Sequence, residues 1–106
     1  MRKLASTLPE TSEGTQFGHP VWLAGKKSFV IARYAGERLT FCFWVGVDRQ
    51  GLLTTDPRYR IPPYIGHNGW IALDVTEACD WREVKGLALE SYRHFALKRM
   101  LLKLGN

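Results

Sequence analysis

The stretch RLTFCFWV, residues 38–45, decides the fold of this chain. Its residues alternate in character as they do in a β-strand, where successive side chains point to opposite faces of the sheet. The residues of one face are all apolar: Leu39, Phe41, Phe43 and Val45. The residues of the other face are mixed: Arg38, Thr40, Cys42 and Trp44. The pattern predicts a strand whose apolar face meets the core.

Further strands are predicted on both sides of this stretch. FVIARY (29–34) precedes it across the short glycine-containing loop 35–37, which suits a β-hairpin. WIALDV (70–75) alternates in the same way, PVWLA (20–24) is a shorter strand, and 59–61 is at best an edge strand because two prolines follow it. The polar stretch 10–18 is predicted as turns, and 46–58 as a loop or short helical turn.

Helices are predicted at both ends of the chain. Residues 2–8 form a short helix that must end at Pro9. A long helix is expected from Trp81 to about Leu104, opened by a capping box in which Asp80 accepts from the backbone of Glu83. One face of it carries the residues expected on the sheet: Val84, Ala88, Ser91, Phe95 and Leu102. Another four apolar residues lie nearly opposite, so the last turns must bend, pack under another loop or meet a partner subunit: Leu97, Met100, Leu101 and Leu104.

Together these elements predict a single α+β domain over residues 1–106. Hairpin-length connections imply an antiparallel sheet, and the long C-terminal helix packs on one of its faces. No crossover helix lies between the strands, so parallel βαβ units are not expected.

Composition narrows the class of protein. The chain has 106 residues, 45% of them hydrophobic, and a net charge of +5. No apolar run approaches the ~20 residues that span a bilayer, and the N-terminus has no signal-peptide h-region. We therefore expect a cytoplasmic protein without membrane contact, in which Cys42 and Cys79 are reduced.

Two groups of motifs resemble the MmcQ/YjbR family. The first is LPE (8–10), FGHP (17–20) and GK (25–26), and the second is PPYIGHNGW (62–70), DW (80–81) and SYR (91–93). The resemblance covers nearly the whole chain and is nearest to the MmcQ-like branch. It implies a frataxin-like or secretion-chaperone-like fold, in a family usually labelled DNA-binding and without established catalytic residues or an established cofactor.

The basic residues are the first candidate site. An excess of basic over acidic residues attracts polyanions, of which nucleic acid is the commonest in a cytoplasm. Phosphate contacts, to DNA or RNA without sequence preference, are assigned to eight residues: Lys26, Lys27, Arg58, Arg60, Arg93, Lys98, Arg99 and Lys103. The alternative is that these cations only keep a small protein in solution.

The segment PPYIGHNGW is the second candidate. As a binding loop it would use Tyr64, His67, Asn68 and Trp70, with backbone amides facing an anion. The alternative is a structural turn in which the glycines take positive φ and the aromatic residues plug the core edge.

A sheet face is the third candidate. If the helix covers Phe41 and Phe43, the other face carries Trp44, Trp70 and Trp22 among arginines such as Arg38 and Arg33. Such a face would either stack single-stranded nucleic acid or form a homodimer interface for a protein-binding or chaperone-like module.

Metal and enzyme chemistry are not indicated. Three histidines and two cysteines occur, but none at ligand spacing. Cys79 precedes a helix N-terminus, where a thiolate is stabilised, yet it has no recognisable histidine partner. We expect no metal, no cofactor and no enzymatic activity.

Overall fold

The computed structural model describes residues 1–105, with Ala35 described by its backbone alone. Six strands form one antiparallel sheet in the order β1-β2-β3-β4-β6-β5. They are β1 Thr11–Gln16, β2 His19–Ala24, β3 Lys27–Ala35, β4 Arg38–Trp44, β5 Tyr59–Arg60 and β6 Trp70–Asp74. The helices are α1 Arg2–Ala5, α2 Val47–Leu53, α3 Trp81–Phe95 and α4 Lys98–Leu104, with a single 3-10 turn at Gly66–Asn68. The α+β prediction is confirmed.

The predicted register of the central strands is confirmed. Phe41 and Phe43 are buried in the main core with Ile71 and Leu73, against the apolar stripe of α3. Burying large apolar side chains between a sheet and a helix is the main driving force for such a fold. We call this face of the sheet the helix face, and the opposite one, which carries Ile31, Cys42 and Ala72, the second face.

Strand β1 was not predicted. Its sequence, TSEGTQ, is polar because it forms the edge of the sheet and pairs only with β2. A strand with one partner and much exposure does not need apolar alternation, so the stretch 10–18 gave no strand signal.

The prediction of one continuous helix from Trp81 to about Leu104 was wrong, because the helix that begins at Trp81 ends at Phe95. Ala96 and Leu97 adopt extended backbone and separate α3 from α4. The break reconciles the two opposed apolar stripes, because α4 turns and buries Met100 completely against the main core. Leu102, expected on the sheet, is exposed.

The predicted capping box was also wrong. Asp80 does cap α3, but its carboxylate accepts from the backbone N–H of Arg82 at 3.0 Å. The Glu83 carboxylate is occupied elsewhere, by the guanidinium of Arg58 and the hydroxyl of Tyr59. A charged partner in reach gives a stronger hydrogen bond than a helix-end amide.

Ser91 joins the helix to the sheet. Strands β3 and β4 are paired as far as Val30 and Phe43. At the next residues the buried Ser91 hydroxyl donates to the carbonyl of Phe29 at 2.7 Å and accepts from the N–H of Trp44 at 3.0 Å. The hydroxyl thus satisfies one backbone group on each strand at the point where their pairing ends.

We predict that Ser91→Ala destabilises the domain by about 1–3 kcal/mol, because two buried backbone groups lose their partner. The urea midpoint of unfolding measures this loss. Ser28→Ala is the matched control, because the Ser28 hydroxyl donates only to the side chain of Gln16. Equal midpoints for wild type and Ser91→Ala would contradict the role of the bridge.

Candidate functional site

The last turn of α3 closes one end of the second face. The His94 ring stacks on Trp44 with centroids 3.4 Å apart and planes within 6°. The next residue, Phe95, stacks on Trp70 at 5.7 Å. Burial lowers the pKa of His94, and the nearby Lys27 charge lowers it further. The helix end therefore forms an aromatic wall beside a cationic turn.

The predicted tryptophan face is wrong in two respects. Trp22 lies on the helix face, where it packs against the main core and donates to Glu13. Trp70 is only 8% exposed. Of the arginines expected there, Arg38 is bound by Asp74 and Glu77. Three tryptophans do not form an exposed stacking surface.

The segment 62–70 is a loop that hydrogen bonds hold against neighbouring elements. The Gln50 side chain donates to the carbonyls of Gly66 and Trp70, and Gly69 accepts from the N–H groups of Val45 and Gly46. Gly69 has φ +98°, and a Cβ there would lie 2.9 Å from Gly46 Cα. The loop geometry therefore requires glycine, as the structural interpretation predicted.

Four backbone amides of this loop are already used. Those of residues 65, 66, 68 and 69 donate to carbonyls within the loop, so they do not face an anion. Of the four predicted loop residues, Trp70 is buried, whereas the side chains of Tyr64, His67 and Asn68 are exposed. These three side chains are available for contact with a ligand.

A cavity of about 420 Å³ opens on the second face, between the β2–β3 turn and this loop. Its floor is apolar: Val21, Leu23, Ile31, Ile65, Trp70 and Phe95. Its polar rim includes Gln16, Lys26, Lys27 and Ser28. No carboxylate lines it, and its volume is in the range of ordinary ligand sites. We call it the lysine-rimmed cavity.

The eight predicted phosphate-binding cations fall into two groups, those that form ion pairs with carboxylates and those that do not. Arg58 is held by Asp56 and Glu83, and both Arg99 and Lys103 are held by Glu10. The ion pairs raise the pKa of Arg99 and lower the pKa of Glu10. Within residues 1–105 the other five have no carboxylate within 4.0 Å: Lys26, Lys27, Arg60, Arg93 and Lys98.

Two of these five cations, Lys26 and Lys27, lie beside the helix that carries a third, Lys98. Lys26 and Lys27 follow Gly25. A Cβ atom added at Gly25 would lie 3.7 Å from the sulfur of Met100 in α4, so this turn lies against that helix. Lys98 begins that same helix. The cavity rim and the start of α4 therefore form one basic end of the molecule, whereas Arg60 lies on β5 at the far edge of the sheet.

Two exposed aromatic residues adjoin residues that line the cavity: Tyr64, which was predicted as a binding-loop residue, and Phe17, which was not predicted as a site residue. Phe17 is 95% exposed with φ +51°, and Tyr64 is 88% exposed with φ +69°. Phe17 follows the lining residue Gln16, and Tyr64 precedes the lining residue Ile65. For Phe17 the sequence did contain a signal. It is a phenylalanine directly before a glycine in a polar stretch, where no core partner is expected.

Comparisons with known proteins agree with the fold. A family model described as YjbR matches residues 6–94. A crystal structure of Deinococcus radiodurans protein DR2400, with a DUF419 domain, has the same fold at a TM-score of 0.75 and 16% identity. That match covers 98% of this chain and 84% of the other. The sequence has no match among curated proteins.

The described residues hold no metal-binding cluster, meaning no group of three or more His, Cys, Asp or Glu side chains placed to share an ion. None of the helices among them is long and apolar enough to cross a membrane. Both cysteines are free thiols. Burial raises the pKa of Cys42 to about 11 and also raises that of Cys79. Neither thiol has the lowered pKa of a nucleophile.

We predict that iodoacetamide at mildly alkaline pH labels Cys79 slowly in the folded protein and labels Cys42 only after unfolding in urea. Cys79 is partly exposed, whereas Cys42 is fully buried and keeps its proton well above the reaction pH. Mass spectrometry of the labelled peptides measures the order. The variant Cys79→Ala should stay unlabelled while folded, and rapid labelling of Cys42 would contradict its burial.

Proposed function

We propose that this chain, which belongs to the YjbR family, is a non-enzymatic module that binds nucleic acid through its phosphates without sequence preference. The observation that carries the proposal is the basic end of the molecule. There two adjacent lysines, without ion pairs among the described residues, rim a cavity that has no carboxylate lining. In the cytoplasm, the compartment predicted from composition, nucleic acid is the commonest polyanion.

The contact set is smaller than the sequence predicted. Arg99, Lys103 and Arg58 are already bound by carboxylates, so a phosphate would have to compete with those partners. Lys26, Lys27 and Lys98 at the basic end, with Arg93 in the last turn of α3, remain as the principal contacts. A few phosphate contacts give weak binding, roughly micromolar at physiological salt, that falls steeply as salt rises.

We predict that Lys26→Gln with Lys27→Gln weakens binding and flattens the salt dependence of log K by about two units on duplex DNA, since each lost phosphate contact removes ~0.9. Fluorescence anisotropy with labelled DNA at several salt concentrations measures both. The matched control is Arg99→Gln with Lys103→Gln, which removes the same charge from residues that Glu10 already binds. The salt dependence of log K should change less in this control than in the lysine double variant.

Two outcomes would count against the proposal. If wild type binds no nucleic acid at low salt, phosphate binding is not its function. If both double variants lose affinity equally, the attraction comes from overall charge, and the lysine rim is not a site.

A second candidate function is a homodimeric protein-binding or chaperone-like module. Leu97 and Leu102 favour it, because they are 53% and 68% exposed at the C-terminal end of the chain. Exposed large apolar side chains that recur on a short element are typical of an interface. The occupant we assign is a second copy of the chain.

If this candidate is right, wild type sediments as a dimer at micromolar concentration without nucleic acid, and Leu97→Ser with Leu102→Ser sediments as a monomer. Analytical ultracentrifugation distinguishes the two. Leu52→Ser on α2 is the control, because Leu52 is equally exposed, at 70%, on a different element. A wild-type monomer at all concentrations would exclude the homodimer.

A further inference from the structure

Phe17 and Tyr64 are held away from the core by strained turns. Phe17 and Gly18 form the two-residue turn between β1 and β2, and both have positive φ. A bulky residue in the left-handed region is rare, because its Cβ crowds the backbone. No burial compensates for this cost at either position, since both side chains are almost fully exposed. The two-residue hairpin turn sets the positive φ at Phe17, but an aromatic side chain that is left exposed in this conformation gains no packing, and this combination points to a binding role for the side chain.

Hydrogen bonds hold the backbone on either side of both aromatic residues. The Phe17 turn is closed by the pairing of Gln16 with His19. Tyr64 lies between N–H groups that close the loop, with Ile65 donating to Pro63 and Gly66 donating to Pro62. A backbone held in this way reduces the conformational entropy that is lost when a ligand binds.

From this arrangement we propose that the lysine-rimmed cavity binds single-stranded nucleic acid together with Phe17 and Tyr64, the chain neighbours of its lining residues Gln16 and Ile65. Bases stack on the two exposed rings, and one base enters the cavity. The inference rests on the proposed function, and specifies the form of nucleic acid that the site prefers.

The cavity has the chemistry that a base requires. A base has two apolar faces and a polar edge, and the cavity has an apolar floor and a polar rim. On that rim the Ser28 hydroxyl donates to the Gln16 amide oxygen at 3.2 Å, which leaves the Gln16 NH₂ group to donate to a base acceptor. Lys26 and Lys27 are placed for the adjoining phosphates.

A duplex cannot use this site in the same way. Its bases are stacked on one another and paired, so their faces are not available to an aromatic side chain. Duplex DNA would contact the lysines through phosphates alone. The geometry therefore predicts tighter binding of single strands than of duplex.

Fluorescence anisotropy at low salt tests the inference with three labelled probes: a short single strand, its duplex, and a single strand of equal length with abasic sites. We expect the single strand to bind tightest and the abasic strand to lose about tenfold or more in affinity. Phe17→Ala and Tyr64→Ala should each weaken single-strand binding about tenfold and leave duplex binding unchanged.

Tyr34→Ala is the matched control, because Tyr34 is also an exposed aromatic residue but lies near the opposite end of β3 from the cavity. It should bind the single strand like wild type. Thermal unfolding midpoints close to wild type show that each variant is folded, which the exposure of all three side chains favours.

The outcomes separate this inference from the proposed function. Equal affinity for single strand, duplex and abasic strand overturns the inference while phosphate binding stands. No binding to any probe overturns both. Anionic phosphatidylserine vesicles form the final arm, because aromatic side chains beside lysines also suit a membrane surface. Vesicle binding that depends on Phe17 and Tyr64, with no preference for single strands, overturns the inference.

Discussion

The Ser91 hydroxyl is the constraint on which both faces of the sheet depend. By bridging Phe29 and Trp44 where β3 and β4 separate, it fixes the C-terminal half of α3 at the end of the sheet. The next turn of the helix then places His94 on Trp44 and Phe95 on Trp70. Phe95 becomes a wall of the cavity, so one buried hydroxyl links the packing of the main core to the shape of the candidate site.

The carboxylates decide which cations are available. Glu10 binds two of the three basic residues of α4, Glu83 and Asp56 bind Arg58, and Asp74 and Glu77 bind Arg38. Exposed ion pairs of this kind contribute little to stability. Their effect here is on the distribution of charge, because the lysines of the β2–β3 turn have no such carboxylate partner in the described part of the chain. A moderate net charge thereby becomes a local basic surface.

Local pattern predicted the central part of the fold correctly. The alternation in residues 38–45 and 70–75 gave the right register, because burial on one face imposes a period of two on both strands. The polar edge strand β1 gave no such signal. The two apolar stripes near the C-terminus did show that the last turns could not continue straight, but not that the break would come at Ala96 and Leu97.

The sequence by itself determined the fold class and the core face of each central strand, which follow from periodicity, and the family, which the motifs indicate by resemblance. Only the tertiary structure decided the site. Glu10 meets Arg99 across 89 residues, and Gln16, Ile65 and Phe95 come from three distant segments to line one cavity. Such contacts depend on how strands and helices are brought together in space, and no local pattern specifies them. The charge of helix α4 could therefore be predicted from the sequence, but the pairing of two of its three cations with Glu10 could not.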